Sequence, residues 1–170
     1  ALNRGIRIFC SEFVRVSLAH PAQAMFFART VLRQLAAARR RSRLAGEGLQ
    51  VPPIAIFSIT DRCNLRCKGC YAQAIRQEGS EELSEVELAG IVAQADELGV
   101  SFFVIAGGEP LTRPVIMDIT RDNPQILFLL ITNGLLLDQG LIARLAAQRN
   151  TVPVLSLEGT QAQTDEPIRF

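Results

Sequence analysis

The segment IAIFSITDRCNLRCKGCYAQA (residues 54–74) passes from a short apolar run into a loop with three cysteines. Residues 54–60 are β-branched and apolar, as in a strand buried on both faces of a parallel sheet. Cys63, Cys67 and Cys70 follow at spacings of four and three residues. Clustering of three of the chain's four cysteines predicts a metal site in a reducing compartment, and therefore a cytoplasmic protein.

The whole chain has the size and composition of one folded domain. Its 170 residues are 48% hydrophobic and 21% charged, with a net charge of +1. A chain of this length can bury a sizeable core. The near-neutral charge gives no reason to expect a nucleic-acid partner. No apolar run has the length of a transmembrane segment, and the N-terminus lacks a secretory pattern.

Strand and helix patterns alternate after the cysteine loop. Apolar runs that predict three further strands lie at residues 101–106, 125–132 and 151–159. Ser84 and Glu87 predict a capping box for a helix that ends at Gly99, and Asp138 can cap a later helix. Pro153 predicts an irregular start to the fourth strand. This alternation predicts an α/β fold with a parallel sheet and right-handed crossovers.

The first fifty residues have a different character. A helix is predicted from Pro21 to about Gly46, and arginines cluster near its end at Arg39, Arg40, Arg41 and Arg43. We interpret them as a solvated helix end, where the dipole favours cations, and not as an anion-binding surface. Cys10 is interpreted as a buried apolar residue and His20 as a surface histidine. The predicted domains are a helical extension over 1–50 and an α/β domain over 51–170.

Polar segments lie at the carboxyl end of each predicted strand. They are TDRCNLRCKGC (60–70), GGEP (107–110), TNG (132–134) and SLEG (156–159). In parallel barrels and open α/β sheets, ligands bind at the carboxyl ends of the strands. The four segments are therefore predicted to form one composite site.

The number of cysteines restricts the kind of metal centre. A structural zinc site usually has four protein ligands. An electron-transfer [4Fe–4S] cluster normally takes four cysteines, one for each iron. Three thiolates would leave one iron of such a cluster open to a substrate or a cofactor.

The loop from Cys63 to Cys70 resembles the CxxxCxxC loop of the radical S-adenosylmethionine (radical SAM) enzymes, and GGEP resembles their second motif. The resemblance covers residues 52 to 160 and implies a (β/α) partial TIM barrel of the radical SAM type. The family continues through further strand–helix units, which PIRF at the end of this chain does not resemble. We therefore predict a core domain truncated after about four strands, which alone would not turn over substrate.

The resemblance also implies an activity. Cys63, Cys67 and Cys70 would hold a [4Fe–4S] cluster whose open iron binds S-adenosylmethionine. An electron from a flavodoxin- or ferredoxin-type donor would cleave S-adenosylmethionine reductively. The resulting 5′-deoxyadenosyl radical would abstract a hydrogen atom from an unidentified substrate.

Several further residues correspond to cofactor contacts of the family. They are Gly107, Gly108 and Glu109 for the methionine ammonium, Ser156 and Glu158 for the ribose or carboxylate side, and Thr132 and Asn133 for cofactor or substrate. The family often has an aromatic residue near adenine at the position of Gly69. Tyr71 is the candidate to replace it.

The sequence leaves two other functions open. The chain could be a non-catalytic iron–sulfur or zinc-binding module, or a scaffold protein acting through its basic N-terminal helix. GGEP favours the enzyme, because a metal module has no use for an amine-binding strand end. Arg62 and Arg66 would balance the cluster, meet a substrate carboxylate or face water. Glu81, Glu82 and Glu85 are interpreted as the acidic entry to a helix.

Overall fold

The computed structural model describes residues 21–74 and 81–157, so Cys10, His20 and Glu158 lie outside the described residues. The strands are β1 (Ile54–Ser58), β2 (Phe102–Ala106), β3 (Leu127–Thr132) and β4 (Thr151–Leu155). The helices are α1 (Pro21–Gly46), α2 (Tyr71–Ala74), α3 (Glu85–Leu98), α4 (Val115–Asp122) and α5 (Gln139–Gln148), with a 3-10 helix at Pro110–Thr112. The sheet lies in the second of two compact units, Ala37–Phe170. In the first, Ala1–Ala36, the structure describes the first part of α1.

The four strands are all parallel and lie side by side in chain order, β1-β2-β3-β4. Ser58 pairs with Ala106, and Thr132 pairs with Leu155, so the carboxyl ends of the strands meet at one edge of the sheet. This arrangement confirms the predicted fold class, an α/β fold with a parallel sheet, and brings the polar segments after the strands together.

One face of the sheet carries the core. Phe103 and Phe128 on adjacent strands stack with ring centroids 5.8 Å apart and are almost completely buried. Leu88 and Val92 of α3 and Ile116 near the start of α4 belong to the same buried cluster. Helices α3 and α4 therefore pack against this face of the sheet and complete the core.

The opposite face of the sheet is open in the described part of the chain. Ile54 and Ile56 of β1 are 52% and 77% exposed. The prediction that this strand is buried on both faces is therefore wrong. Its inward residues, Ala55 and Phe57, pack against the core, whereas the other face is the one that lines the interior in a parallel barrel.

The predicted helix boundaries agree closely with the structure. Ser84 and Glu87 form a reciprocal capping box at the start of α3, and Gly99 closes its end in a left-handed conformation. The Asp138 carboxylate accepts a hydrogen bond from an amide in the first turn of α5. The irregular start expected of the fourth strand is wrong, since Pro153 lies within β4 opposite Leu130. A proline is tolerated there because β4 is an edge strand of the described sheet.

The arginines near the end of α1 are not all solvated. Arg40 donates to the carbonyl of Asp96, and Arg41 donates to the carbonyl of Gly99. These carbonyls lie at the end of α3, where backbone acceptors lack helical partners and cations are favoured. The interpretation as a solvated helix end is therefore wrong for these two arginines. Among the described helices, none is both long and apolar enough to cross a membrane.

Asn150 connects the amino-terminal edge of the sheet to two loops. Its side-chain amide is 1% exposed and donates to the carbonyl oxygens of Thr120 (2.8 Å), Asn123 (3.2 Å) and Ile126 (3.2 Å). This one side chain therefore satisfies acceptors on both sides of the turn between α4 and β3.

Replacing Asn150 by alanine is expected to lower the free energy of unfolding by about 2 kcal/mol, because buried carbonyls lose their donor. Denaturant unfolding monitored by circular dichroism measures the change. Gln139→Ala, at an exposed position, is the control and should leave the midpoint nearly unchanged. Equal stability of the two variants would contradict this role of Asn150.

Candidate functional site

The three cysteines lie on the connection between β1 and α2. Cys63, Cys67 and Cys70 are not disulfide-bonded and are of intermediate burial. The backbone N–H of Cys70 donates to the carbonyl of Cys67 at 3.3 Å, which forms the turn that leads into α2. The Leu65 N–H donates to Cys63 Sγ at 3.4 Å, which links this side chain to the backbone of its own loop.

The three cysteines are the candidate donors of the site. Within residues 21–74 and 81–157, no group of three or more His, Cys, Asp or Glu side chains is gathered tightly enough to hold one metal ion. In a [4Fe–4S] cluster each thiolate binds a different iron, so the sulfur atoms need not converge on one point. Three partly accessible thiols on one loop therefore fit a cluster with one iron left open.

The backbone of GGEP packs directly on the segment before Cys63. Gly108 N–H donates to the Thr60 carbonyl and Glu109 N–H donates to the Arg62 carbonyl, both at 2.7 Å. A Cβ at Gly108 would lie within 3.0 Å of the backbone of residues 61 and 62. Gly107 also has a φ of +125°, which side-chain-bearing residues rarely adopt. Both glycines are thus required by the close approach of two strand ends.

Gly108→Ala is expected to lower the free energy of unfolding by at least about 2 kcal/mol, because the added methyl group meets backbone atoms that cannot move independently. Gly90→Ala in α3 is the matched control. A Cβ there meets no atom within 4 Å, and alanine at this helical position should raise stability by about 0.5–1 kcal/mol. Urea unfolding of both variants measures the difference, and equal shifts would refute the packing argument.

Glu109 is buried at the centre of the strand ends, with only 1% of its surface exposed. Its Oε1 accepts hydrogen bonds from Leu111 N–H (3.1 Å) and Thr132 Oγ1 (2.9 Å), and its Oε2 accepts from Asn133 N–H (2.8 Å). The carboxylate therefore joins the end of β2 to the end of β3.

Asn133 extends this connection to the cysteine loop. Its Nδ2 donates to Oδ1 of Asn64, the residue after Cys63, at 2.8 Å. Ser156 N–H donates to the Thr132 carbonyl at 3.0 Å, which places the end of β4 next to β3, while the Ser156 side chain is exposed. The structure thus places Glu109, Thr132 and Asn133 in one network with the loop, and Ser156 at its margin.

Two residues near the cysteines bear on the expected adenine contact. Gly69 has a φ of +73°, so an aromatic residue at this position would be strained in the same backbone conformation. Tyr71 begins α2 two residues later, and its side chain is 61% exposed. An accessible aromatic surface is therefore present close to the loop.

Glu82 is a member of the site that sequence reasoning missed. Its carboxylate accepts from Thr60 Oγ1 (2.6 Å) and Asp61 N–H (3.1 Å), and lies 3.4 Å from the Arg62 guanidinium. Burial alone would raise its pKa. The hydrogen bonds from Thr60 and Asp61, together with the charges of Arg62 and Arg113, outweigh this effect and hold the pKa of Glu82 below its usual value.

Comparison with known proteins gives relatives of several activities. The chain is 28% identical over 120 residues to an AdoMet-dependent heme synthase from Methanosarcina barkeri, covering 69% of this chain and 34% of the relative. It is 32% identical over 121 residues to a PqqA peptide cyclase from Rhizobium meliloti, covering 69% and 32%. The chain thus spans about a third of the length of these curated relatives.

Solved structures show the same fold. The crystal structure of Streptococcus suis SuiB bound to S-adenosylmethionine matches with a TM-score of 0.59 and 24% identity, covering 76% of this chain and 31% of SuiB. A family model described as the radical SAM superfamily matches residues 57–170. This match includes the cysteine loop, GGEP and the ends of β3 and β4. The chain belongs to the radical SAM superfamily.

Proposed function

We propose that the protein is a radical SAM enzyme in which Cys63, Cys67 and Cys70 hold a [4Fe–4S] cluster. When bound, the cluster would supply the electron for reductive cleavage of S-adenosylmethionine, and the 5′-deoxyadenosyl radical would take a hydrogen atom from a substrate. The observation that carries this proposal is the network in which GGEP and the end of β3 hold the segment around Cys63. The superfamily membership supports it.

The residues of the chain would bind and orient both cofactors. Backbone carbonyls of Gly107 and Gly108 would accept from the methionine ammonium, and the buried carboxylate of Glu109 would add negative charge nearby. Because Glu109 already accepts three protein hydrogen bonds, its larger role would be to hold the strand ends in place.

The remaining strand ends would complete the site. Thr132 and Asn133 would face the cofactor or the substrate through their exposed atoms. Ser156 and Glu158 would contact the ribose or the carboxylate side of S-adenosylmethionine. Tyr71 would provide the aromatic surface for adenine.

The proposed function also implies an electron donor, a compartment and a domain organisation. A flavodoxin- or ferredoxin-type protein would deliver the electron, and a reducing cytoplasm would keep the three cysteines reduced. Residues 51–170 would form part of the core domain, with residues 1–50 as a helical extension before it.

The test is anaerobic reconstitution of the protein with iron and sulfide. We expect a brown protein with three or four irons per chain, as a three-cysteine site for a cluster implies. Incubation with dithionite and S-adenosylmethionine should then release 5′-deoxyadenosine slowly and without conversion of a substrate, which chromatography detects. A colourless protein that binds zinc would overturn the proposal in favour of a metal-binding module. A stable cluster that never yields 5′-deoxyadenosine would overturn the enzymatic part.

A further inference from the structure

The cysteine loop is closed at its base by two residues outside the cysteine and GGEP motifs, Glu82 and Arg113, here called the loop clasp. We propose that the loop clasp positions the segment before Cys63 and thereby slows the loss of the cluster. This inference rests on the proposed binding of a cluster. It assigns to Glu82 and Arg113 a positioning role and no contact with the reacting atoms.

Glu82 holds the first residues of the loop from one side. Its carboxylate accepts from the Thr60 hydroxyl and the Asp61 N–H, and the Thr60 hydroxyl in turn accepts from the Arg62 N–H at 3.0 Å. Thr60 is only 3% exposed, and the Glu82 side chain is 20% exposed. These hydrogen bonds are therefore largely shielded from competing water, which strengthens them.

Arg113 holds the same two chain segments from the other side. It follows the 3-10 helix that contains Pro110, and its guanidinium donates to the Ile59 carbonyl (2.9 Å) and the Leu83 carbonyl (2.8 Å). One side chain thus joins the residue before Thr60 to the residue after Glu82. The loop clasp therefore connects both ends of the loop to each other and to the GGEP segment.

The position of the clasp explains why it would matter for the cysteines. Thr60 and Glu82 are 22 residues apart, and all three cysteines lie between them. Closing a loop of this length costs conformational entropy. The hydrogen bonds of the loop clasp offset this cost in the folded chain before any metal binds. Opening it would free the segment before Cys63, so that this thiolate dissociates from its iron more often.

The experiment compares two variants that break the clasp with two that preserve it. Glu82→Gln removes the charge, and Thr60→Val removes the hydroxyl while keeping the shape. Thr60→Ser keeps the hydroxyl, and Glu81→Gln makes the same change as Glu82→Gln at the neighbouring exposed glutamate. Iron release from the reconstituted protein to an excess of chelator is followed anaerobically. Backbone hydrogen exchange at Asp61 and Arg62 is followed in the metal-free protein.

Glu82→Gln and Thr60→Val are expected to speed iron release about tenfold, the size of one charge-assisted hydrogen bond. They should also speed exchange at Asp61 and Arg62. Thr60→Ser and Glu81→Gln should match the unchanged protein. The double variant Glu82→Gln/Thr60→Val should speed iron release by less than the product of the two single effects, because both substitutions act on the Thr60–Glu82 contact.

Equal iron release in all variants, with normal iron uptake, would overturn the inference even if the two amides exchange faster. If Glu82→Gln fails to fold, the Thr60→Val and Thr60→Ser pair decides the question by the same criterion. The proposed function fails in a different way, since the unchanged protein would then take up no iron at all. In that case both proposals would be rejected, because the loop clasp would have no cluster to retain.

Discussion

Replacing Cys63, Cys67 or Cys70 by alanine is expected to abolish cluster assembly, with iron and sulfide contents falling close to zero. Three thiolates are the fewest that can hold a cluster with one open iron, so the loss of one leaves two irons without a protein ligand. Iron and sulfide per chain, determined after anaerobic reconstitution and desalting, measure the effect. The visible absorbance of the cluster should disappear in parallel.

Cys10→Ala is the control for these variants, because Cys10 lies outside the family motif and is interpreted as an apolar residue. It should retain the full iron content. Loss of iron in the Cys10 variant, or normal iron in any of the other three, would show that the assigned ligands are wrong.

Glu109→Gln is expected to have the second large effect, on both stability and cofactor binding. The amide can keep one acceptor for Leu111 and Thr132, but its NH₂ group then faces the Asn133 N–H, a donor against a donor. Such a buried mismatch should cost about 2–3 kcal/mol of unfolding free energy. The displaced end of β3 would also pull Asn133 from Asn64, so we expect S-adenosylmethionine to bind at least about tenfold more weakly.

Two measurements check this result. Denaturant unfolding of the metal-free protein measures the change in the free energy of unfolding. Equilibrium dialysis with the reconstituted protein measures the change in affinity for S-adenosylmethionine. Glu97→Gln, at an exposed position on α3, serves as the control and should change neither. A Glu109→Gln variant of normal stability would contradict the bracing role of the carboxylate.

Local features were predictable because they depend on neighbouring residues. The two members of the capping box, Ser84 and Glu87, are three positions apart, and the predicted and observed starts of α3 agree. The cysteine spacing and the placement of GGEP after a strand are likewise visible in the sequence alone. Since parallel strands end at one edge, the meeting of these segments followed from topology.

Contacts between distant residues were not predictable in the same way. Glu82 looked like one of several glutamates at a helix entry, and its partner Thr60 is 22 residues away. The link between Asn133 and Asn64 spans 69 residues. The exposure of Ile56 was missed because both faces of β1 carry apolar side chains, and the pattern does not tell which face the helices cover.

The packing that requires glycine at residues 107 and 108 was also not visible in the sequence. From the family resemblance, Gly107 and Gly108 were expected to contact the methionine ammonium. The packing of GGEP against residues 60–62 adds a requirement that holds without any ligand. Substitutions at these positions therefore test the assembly of the strand ends as well as cofactor binding.

The strand order has a consequence for how the chain is made. Each strand of the sheet pairs with the one synthesised just before it, so the sheet can grow from its N-terminal end as the chain leaves the ribosome. Once β3 has emerged, Glu82, Glu109 and Asn133 are all available to enclose the cysteine loop. The nascent chain would then present its three thiols in an ordered loop before β4 has been translated.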